Sequence, residues 1–252
     1  MFDTVILAGG RAERLGGVDK PGLEVGGIPM AAGVAAAARA ALPAALAEIA
    51  PETVRRTGRG AAGGTGRDGD GGGRLVIVGP PRDIPGAVFV REEPPGAGPV
   101  PALRAGLAEV TASWVILLAG DLPFLASSHL TTLLARTGDP ALLPGSSAAP
   151  EGNRDTSGAV RGGTGDGLAV RAATGRARGV VAVDGEGREQ WLLGVWDVAR
   201  LREALDAYEG RSLRGLLEPL VDRRVPLPRE AWFDCDTGDD LREARHAEGG
   251  SE

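Results

Sequence analysis

Short apolar runs alternate with alanine-rich or amphipathic stretches along this chain, and that alternation predicts a series of βαβ units. The clearest strand is Trp114–Ala119, an uninterrupted apolar run that ends at Gly120 and Asp121. Continuous apolar runs of this kind are typical of strands that are covered on both faces. We therefore predict an α/β fold, a single-domain Rossmann-like structure of three layers in which helices cover both faces of a mainly parallel twisted sheet. Its other predicted strands are residues 4–8, 74–79 and 87–90.

The second half of the chain predicts a small antiparallel element. Residues 179–183 and 191–196 have the pattern of two strands, and the glycine-containing link at 184–187 indicates a hairpin. Two further short strands are predicted at residues 224–226 and 232–234. The predicted helices cover residues 29–47, 101–110, 128–137, 197–205, 214–220 and 239–247. Their predicted N-caps include Ser127 or Ser128, Ser212 and Thr237, the last with Asp240 in a capping box, and Trp191, Trp196 and Trp232 are predicted to belong to the core.

Glycine is unusually frequent, with 41 residues in a chain of 252, more than twice its ordinary share of about 7%. Much of the excess lies in residues 57–74 and 144–178, which contain few large apolar side chains. Such segments bury too little surface to offset the entropy of ordering them. We predict flexible inserts at both places, within one domain that spans residues 1–248. The alternative is a lid that orders on substrate, with the second segment the stronger candidate.

The charge and cysteine content exclude several classes of protein. A net charge of −6 argues against a nucleic-acid or anionic-membrane surface, because both partners require a basic face. The sequence has neither a run long enough for a transmembrane helix nor the pattern of a signal peptide, so we expect a cytoplasmic protein. A single cysteine, Cys235, excludes an internal disulfide, and with only His129 and His246 beside it no zinc cluster is expected.

The segment from Leu7 to Lys20 follows the first predicted strand and combines glycines with cations. Glycines let backbone N–H groups approach an anion closely, and Arg14 and Lys20 supply neutralising charge. Lys20 is preceded by Asp19 and followed by Pro21, which excludes a Walker A loop, and the dinucleotide pattern Gly-x-Gly-x-x-Gly is absent. A phosphate-binding loop of another kind is predicted. The plainer alternative is a glycine-rich surface turn with solvated charges.

The order Leu7, Gly9, Gly10, Arg14 and Lys20 resembles the signature of nucleotidyltransferases that use a nucleoside triphosphate to cap a phosphorylated acceptor. Within that superfamily, residues 16–20 are most similar to the molybdenum cofactor guanylyltransferases. Three later segments fit the same family in the same order along the chain. They are residues 92–99, residues 117–123 and residues 233–237.

The resemblance assigns roles to individual residues. Asp121 would be the metal ligand and a catalytic residue, with Asp236 as a second ligand of Mg²⁺. Magnesium takes only one or two protein carboxylates, and a carboxylate just past a strand end points into the ligand crevice of such sheets. The plainer alternatives make Asp121 a turn residue, Asp236 part of a helix cap and Glu92 a solvated loop residue. The nucleotide would contact Leu7, Ala8, Gly9, Gly10, Arg14, Lys20, Gly79, Glu92 and Asp121, with Arg14 and Lys20 catalytic at the departing phosphates.

The activity implied is transfer of GMP from GTP to the terminal phosphate of molybdenum-loaded molybdopterin, with release of pyrophosphate. Molybdenum-insertion proteins or apo-molybdoenzymes are the protein partners that the family implies. Gly79 stands where an asparagine often contacts the nucleotide, which leaves the base open. The alternatives are CTP with molybdopterin, GTP with a phospholactate, a sugar phosphate as acceptor, or a nucleotide-binding accessory protein without turnover.

Overall fold

The structure is a computed structural model that describes residues 1–9, 19–47, 73–139 and 176–249. Within these ranges the strands are β1 (Phe2–Leu7), β2 (Glu24–Val25), β3 (Ile28–Pro29), β4 (Leu75–Val78), β5 (Ala87–Val90), β6 (Trp114–Ala119), β7 (Gly179–Val183), β8 (Glu189–Asp197) and β9 (Arg223–Pro226). The helices are α1 (Met30–Ala47), α2 (Pro99–Ala108), α3 (Ser127–Ala135), α4 (Val198–Ala207), α5 (Leu213–Leu217), α6 (Arg229–Trp232) and α7 (Gly238–Gly249).

The main sheet of the described chain has seven strands in the order β5-β4-β1-β6-β8-β7-β9. Strands β5, β4, β1 and β6 are parallel, β8 runs antiparallel to both of its neighbours, and β9 is parallel to β7. The predicted α/β class and the predicted hairpin of β7 and β8 are confirmed. Strand β1 lies between β4 and β6, so the direction of winding changes beside it, which is where open α/β sheets bind ligands.

Two layers of buried side chains explain the three-layer arrangement. Successive residues of a strand point to opposite faces, and in β1 Ile6 lies on one face of the sheet while Val5 and Leu7 lie on the other. Helices α1 and α3 cover the face of Ile6, and α2, α4 and α5 cover the opposite face. The helix residues that pack there include Ala31, Val34, Leu130 and Leu133 on the first face and Leu103, Leu107, Leu201 and Leu217 on the second.

Helix capping partly follows the prediction. Ser212 accepts a hydrogen bond from the N–H of Gly215, as expected for the cap of α5. Thr237 and Asp240 form the predicted capping box, with the Asp240 N–H 3.2 Å from the threonine hydroxyl and the Thr237 N–H 2.7 Å from the aspartate carboxylate. The prediction for α3 was wrong. Ala126 occupies its N-cap, and His129 reaches back to accept from the Ala126 N–H.

Two short elements differ from the sequence prediction. Residues 232–234 were predicted as a strand, but Trp232 ends helix α6, and Phe233 and Cys235 pack with Val25, Met30 and Ala244 in a separate small cluster. Alternation of apolar and acidic residues mimics a strand there, although β9 already forms the edge of the sheet. The hairpin of β2 and β3 was not predicted. Its turn uses Gly26 and Gly27, both at positive φ.

The two predicted inserts fall largely outside the described residues, but the flanks of the second one are described. Ala177 donates its N–H to the carbonyl of Thr137, and Arg176 lies 3.5 Å from the carboxylate of Asp139. Asp139 also accepts a hydrogen bond from the indole of Trp114, the first residue of β6. Both flanks therefore lie at the edge of the sheet where β6 begins, about 20 Å by strand rise from the edge where it ends. Residues 176–178, which the predicted insert included, make contacts of the folded core.

Within the described ranges, the helices are either too short or too polar to cross a lipid bilayer.

Candidate active site

The carboxyl ends of β1 and β6 bring the first and third predicted motifs together. The N–H of Gly120 donates to the carbonyl of Leu7 at 3.0 Å, so the ladder between the two strands continues one residue beyond β6. Gly120 has no room for a side chain, because an added Cβ would lie 2.9 Å from the Cβ of Ala8. Asp121 is the first residue that leaves the sheet, at the edge where β1 also ends.

Lys20 joins the two carboxylates that were predicted as metal ligands. Its ammonium nitrogen lies 2.5 Å from Asp121 Oδ2 and 2.6 Å from Asp236 Oδ1. The lysine follows Asp19 in a short 3₁₀ turn, Lys20–Gly22, and only 13% of its side chain is exposed. Three of the predicted site residues, from motifs near the beginning, middle and end of the chain, therefore meet at one point.

The charges of Lys20, Asp121 and Asp236 stabilise one another. Burial by itself would lower the pKa of Lys20, but the attraction and hydrogen bonds of Asp121 and Asp236 outweigh it and leave the pKa raised. The lysine is therefore a cation at neutral pH. Asp234 lies beside the group, and although it retains solvent contact, partial burial and its acidic neighbours raise the pKa of its carboxyl.

The donor set of Asp121 and Asp236 fits a hard divalent cation. One oxygen of each carboxylate converges on a single cationic atom, and oxygen ligands are what Mg²⁺ prefers. No group of three or more candidate metal-ligating side chains was found in the described ranges. Magnesium is compatible with two protein carboxylates, because water and substrate phosphates fill its other positions.

Two neighbouring cavities share Asp121, together with Pro99, Ala119 and Leu192, in their lining. The smaller, of about 370 Å³, lies above the end of β1 and is lined by Leu7, Gly9, Glu92, Gly98 and Asp121 among others. The larger, of about 680 Å³, extends toward β8 and α5. Its lining includes Asp121, Asp234, Trp191, Trp232, Arg211 and Gln190. Of the four shared residues only Asp121 carries a charged side chain, so groups bound in the two cavities would both lie near its carboxylate.

Glu92 is a structural part of the smaller cavity rather than a solvated loop residue. It is 8% exposed, and its carboxylate accepts a hydrogen bond of 2.7 Å from the N–H of Gly96. Gly96 and Gly98 both adopt positive φ immediately before α2, a conformation that glycine tolerates and other residues avoid. Glu92 thereby holds the loop that forms one wall of the cavity.

Gly79 packs against Ala8 and Gly9, the residues that follow β1, and it lies outside the lining of both cavities. A Cβ at this position would come within 2.7 Å of the carbonyl oxygen of Ala8 and 3.1 Å of the nitrogen of Gly9. The backbone of the chain after β4 therefore packs directly on the backbone after β1. Gly9 lines the smaller cavity, whereas Ala8 is buried in the core next to it and lines neither cavity. Gly10 and Arg14 lie outside the described residues.

Several residues at this edge were not identified from the sequence. Arg82 pairs with Asp19, and Asp234 and the half-buried Trp191 and Trp232 line the larger cavity. Of the three tryptophans predicted to belong to the core, Trp196 is fully buried, and Trp191 and Trp232 are partly buried and pack against the core clusters. A signal for Arg82 was available, because it follows β4, a strand whose carboxyl end lies at the same edge as that of β1.

A family model described as the MobA-like NTP transferase domain matches residues 4–151 of the chain. Comparison with curated proteins gives no significant match.

Several solved structures share the fold over nearly the whole chain. Molybdopterin-guanine dinucleotide biosynthesis protein A from Archaeoglobus fulgidus is 15% identical and superimposes with a TM-score of 0.55, covering 99% of this chain and 100% of that one. A nucleotidyl transferase from Methanothermobacter is 14% identical, with a TM-score of 0.61 and coverage of 100% and 99%. The 2-C-methyl-D-erythritol 4-phosphate cytidylyltransferase from Thermus thermophilus is 15% identical, with a TM-score of 0.51 and coverage of 99% and 100%.

At these identities the structural likeness shows the fold alone. The family match covers more than half of the chain, and it includes the first strand and the segments of Lys20, Glu92 and Asp121. The chain therefore belongs to the MobA-like NTP transferase domain family.

Proposed function

We propose that this protein transfers GMP from GTP to the terminal phosphate of molybdenum-loaded molybdopterin and releases pyrophosphate. The observation that carries the proposal is the position of Asp121, which lines both cavities and holds Lys20. Transfer between two substrates requires a donor site and an acceptor site that meet at the reacting phosphate. We expect the reaction in the cytoplasm, where nucleoside triphosphates are abundant.

The smaller cavity is proposed as the nucleotide site. Leu7, Ala8 and Gly9 would contact the base and ribose through backbone groups, and Glu92 would hold the facing wall. Gly10 and Arg14 are assigned to the phosphates by the family pattern. Asp121 lies at the mouth of this cavity, where the α-phosphate of a nucleotide seated against β1 would lie.

The chemistry is an in-line displacement at phosphorus. An oxygen of the acceptor phosphate forms a bond to the α-phosphorus of GTP, and the bond from that phosphorus to the bridging oxygen of pyrophosphate breaks. No protein nucleophile is needed. Lys20 would donate hydrogen bonds to the phosphates and stabilise the charge that develops on pyrophosphate, together with Arg14.

Asp121 and Asp236 would hold Mg²⁺ in this reaction. When bound, the ion supplies charge neutralisation and orients phosphate oxygens. Lys20 already brings the two carboxylates to one point, so the chain presents both ligands without a rearrangement of its backbone. The mobility of a lysine side chain allows the ammonium to turn from the carboxylates to the phosphates.

The larger cavity is proposed as the acceptor site. Trp191 and Trp232 offer flat apolar surfaces, and Gln190 and Asp234 offer hydrogen-bonding groups, a combination that suits a planar polar ring such as a pterin. Arg211 adds a positive charge for an anionic acceptor. Molybdenum-insertion proteins or apo-molybdoenzymes are the partners expected to deliver the acceptor or receive the product.

A second candidate differs only in the substrates. Gly79 offers no side-chain amide to a guanine, and its packing against Ala8 leaves no room for one. This observation favours considering CTP as donor. A phospholactate or a sugar phosphate is the alternative acceptor for the same chemistry. An accessory protein that binds nucleotide without turnover is the alternative from another class.

The test measures pyrophosphate release with GTP, CTP, ATP and UTP in separate reactions with Mg²⁺, each with molybdenum-loaded molybdopterin, a phospholactate or a sugar phosphate as acceptor. We expect release with GTP and its loss when the acceptor is omitted. Release with CTP only, or only with a phospholactate or sugar phosphate, would move the protein to the second candidate. Tight GTP binding without release from any acceptor would leave the accessory role.

A further inference from the structure

Arg82 connects the two described ends of the chain that flank residues 10–18. One guanidinium nitrogen, Nη2, donates to the carbonyl of Ala8 at 3.0 Å and to Asp19 Oδ1 at 2.8 Å. The other, Nη1, pairs with Asp19 Oδ2. A single side chain from the loop after β4 thus binds the residue that follows β1 and the residue that precedes Lys20.

The setting of Arg82 makes this contact specific. Only 11% of its side chain is exposed, and burying a guanidinium is unfavourable unless hydrogen bonds compensate. The planar fork of arginine matches a carboxylate through two parallel hydrogen bonds, which lysine cannot reproduce. Removal of Asp19 would leave the buried guanidinium without this counterion, whereas the Asp19 side chain is 53% exposed and stays solvated when Arg82 is removed.

Gly22 and Gly79 leave room for the contacts of Arg82 with Asp19 and Ala8. A Cβ at Gly22 would lie 2.5 Å from Asp19 Oδ2 and 3.4 Å from Arg82 Nη1. A Cβ at Gly79 would meet the carbonyl oxygen of Ala8, which is the oxygen that accepts from Arg82. A side chain at either glycine would therefore collide with an atom that takes part in these contacts.

We propose that Arg82 is a positioning residue for the nucleoside triphosphate, which it affects through Ala8 and Lys20. It fixes the end of β1, where the base and ribose are proposed to lie, relative to the lysine proposed for the phosphates. The inference rests on the proposed nucleotide site but on neither the base nor the acceptor. Arg82 should therefore govern nucleotide affinity, and the affinity for the acceptor should be independent of it.

The chain contains a matched control. Arg178 forms a bidentate pair with Asp222, with Nη2 2.6 Å from Oδ1, at the opposite edge of the sheet where β7 and β9 begin. Substitution of Arg178 removes another bidentate arginine–aspartate pair, one whose arginine is 49% exposed and which lines neither cavity. A general effect of losing an ion pair on folding would appear in both variants, whereas an effect on the nucleotide site would appear only for Arg82.

The experiment compares Arg82→Gln, Arg82→Lys, Asp19→Asn and Arg178→Gln with the unmodified chain. Dissociation constants for GTP and CTP with Mg²⁺ are measured by calorimetry, melting temperatures by scanning calorimetry, and KM and kcat by pyrophosphate release. We expect Arg82→Gln and Asp19→Asn to weaken binding of the preferred nucleotide at least about tenfold. Arg82→Lys should recover part of the loss, Arg178→Gln should change binding less than about twofold, and KM for the acceptor should stay unchanged.

Nucleotide affinity of Arg82→Gln within twofold of the unmodified chain would overturn the inference, as would equal losses in Arg82→Gln and Arg178→Gln. If Arg82→Gln does not fold, Arg82→Lys and Asp19→Asn provide the same comparison. The outcome for the proposed function is separate. Nucleotide binding that depends on Arg82, without any turnover, would refute the proposed transferase activity and retain the role of Arg82. Turnover together with an unchanged nucleotide affinity in the variants would support the transferase activity and refute the role of Arg82. A chain that binds no nucleotide would refute both.

Discussion

The ammonium nitrogen of Lys20 lies 2.5 Å from Asp121 Oδ2, and Asp121 lines both cavities. The lysine comes from the segment that follows β1, and the aspartate comes from the end of β6, the neighbouring parallel strand. Their contact therefore depends on the order of strands in the sheet. This contact places a positive charge and a candidate metal ligand beside the phosphates of the proposed reaction.

Substitution of Asp121 by asparagine should abolish metal-dependent turnover and leave the fold intact. The amide keeps the size of the side chain but removes the charge that would bind Mg²⁺, and losses of about a hundredfold or more are usual when such a group is removed. Initial rates of pyrophosphate release at saturating Mg²⁺ measure the effect.

The control is Asp206→Asn, because Asp206 is 78% exposed in a pair with Arg104 away from the cavities. Circular dichroism and melting temperature should be similar for both variants. Full activity of Asp121→Asn would show that the metal ligand lies elsewhere.

Substitution of Lys20 by methionine should have two effects of opposite sign. Without nucleotide, the ammonium occupies the point on which Asp121 and Asp236 converge, so its removal takes away the positive charge between these two carboxylates. Mg²⁺ should therefore bind the nucleotide-free variant more tightly than the unmodified chain. Turnover should nevertheless fall about a hundredfold, because the charge that stabilises pyrophosphate is lost.

Calorimetric titration with Mg²⁺ and assays of pyrophosphate release measure the two effects separately. Arg104→Met, which removes an exposed cation, should change neither quantity. Weaker Mg²⁺ binding in Lys20→Met would contradict the assignment of Asp121 and Asp236 as a common cation site.

The role of Asp236 comes from the family resemblance alone, because this residue follows helix α6 and not a strand of the sheet. The meeting of Asp121 with the segment of Lys20 was predictable, because residues that follow parallel strands gather at one edge of a sheet. The same reasoning did not identify Arg82. Its partner Asp19 is 63 positions away, and nothing in either local sequence specifies that pairing. The strand prediction for residues 232–234 was wrong for another reason. An alternation of apolar and acidic residues fits a strand as well as it fits a segment outside the sheet that packs on α7.

The pair of Arg178 and Asp222 should make the stability of the fold depend on pH. The guanidinium of Arg178 lowers the pKa of Asp222, aided by its backbone N–H and opposed by partial burial. A carboxyl whose pKa is lower in the folded state stabilises the fold above its unfolded pKa of about 3.9 and loses that effect as pH falls through the folded value. Asp222→Asn should therefore lower the free energy of unfolding by about 1 kcal/mol at pH 7, since solvent screens the half-exposed arginine.

Urea denaturation at pH 7 and at pH 3 measures this difference. The gap between the variant and the unmodified chain should narrow at pH 3, because Asp222 is then largely protonated in the unfolded state and the stabilisation is lost as pH falls toward the lower folded pKa. Asp206→Asn serves as the control with an exposed partner. A gap that is the same at both pH values would mean that hydrogen bonding, and not charge, explains the contribution of Asp222.

Introduction of the asparagine that the family pattern favours at position 79 should damage the protein rather than improve guanine recognition. An added Cβ would lie 2.7 Å from the carbonyl oxygen and 2.8 Å from the carbonyl carbon of Ala8, and these are backbone atoms that cannot turn aside. Overpacking of this kind costs about 1–3 kcal/mol. Gly79→Ala should therefore lower the melting temperature and weaken GTP binding through displacement of Ala8, and Gly79→Asn should do so at least as strongly.

Gly185→Ala is the control, because in the described part of the chain no atom beyond its neighbours in sequence lies within 4 Å of the position that its Cβ would take. Tighter GTP binding by Gly79→Asn at an unchanged melting temperature would show that the chain after β4 can move away from β1, and that this packing does not limit the choice of base.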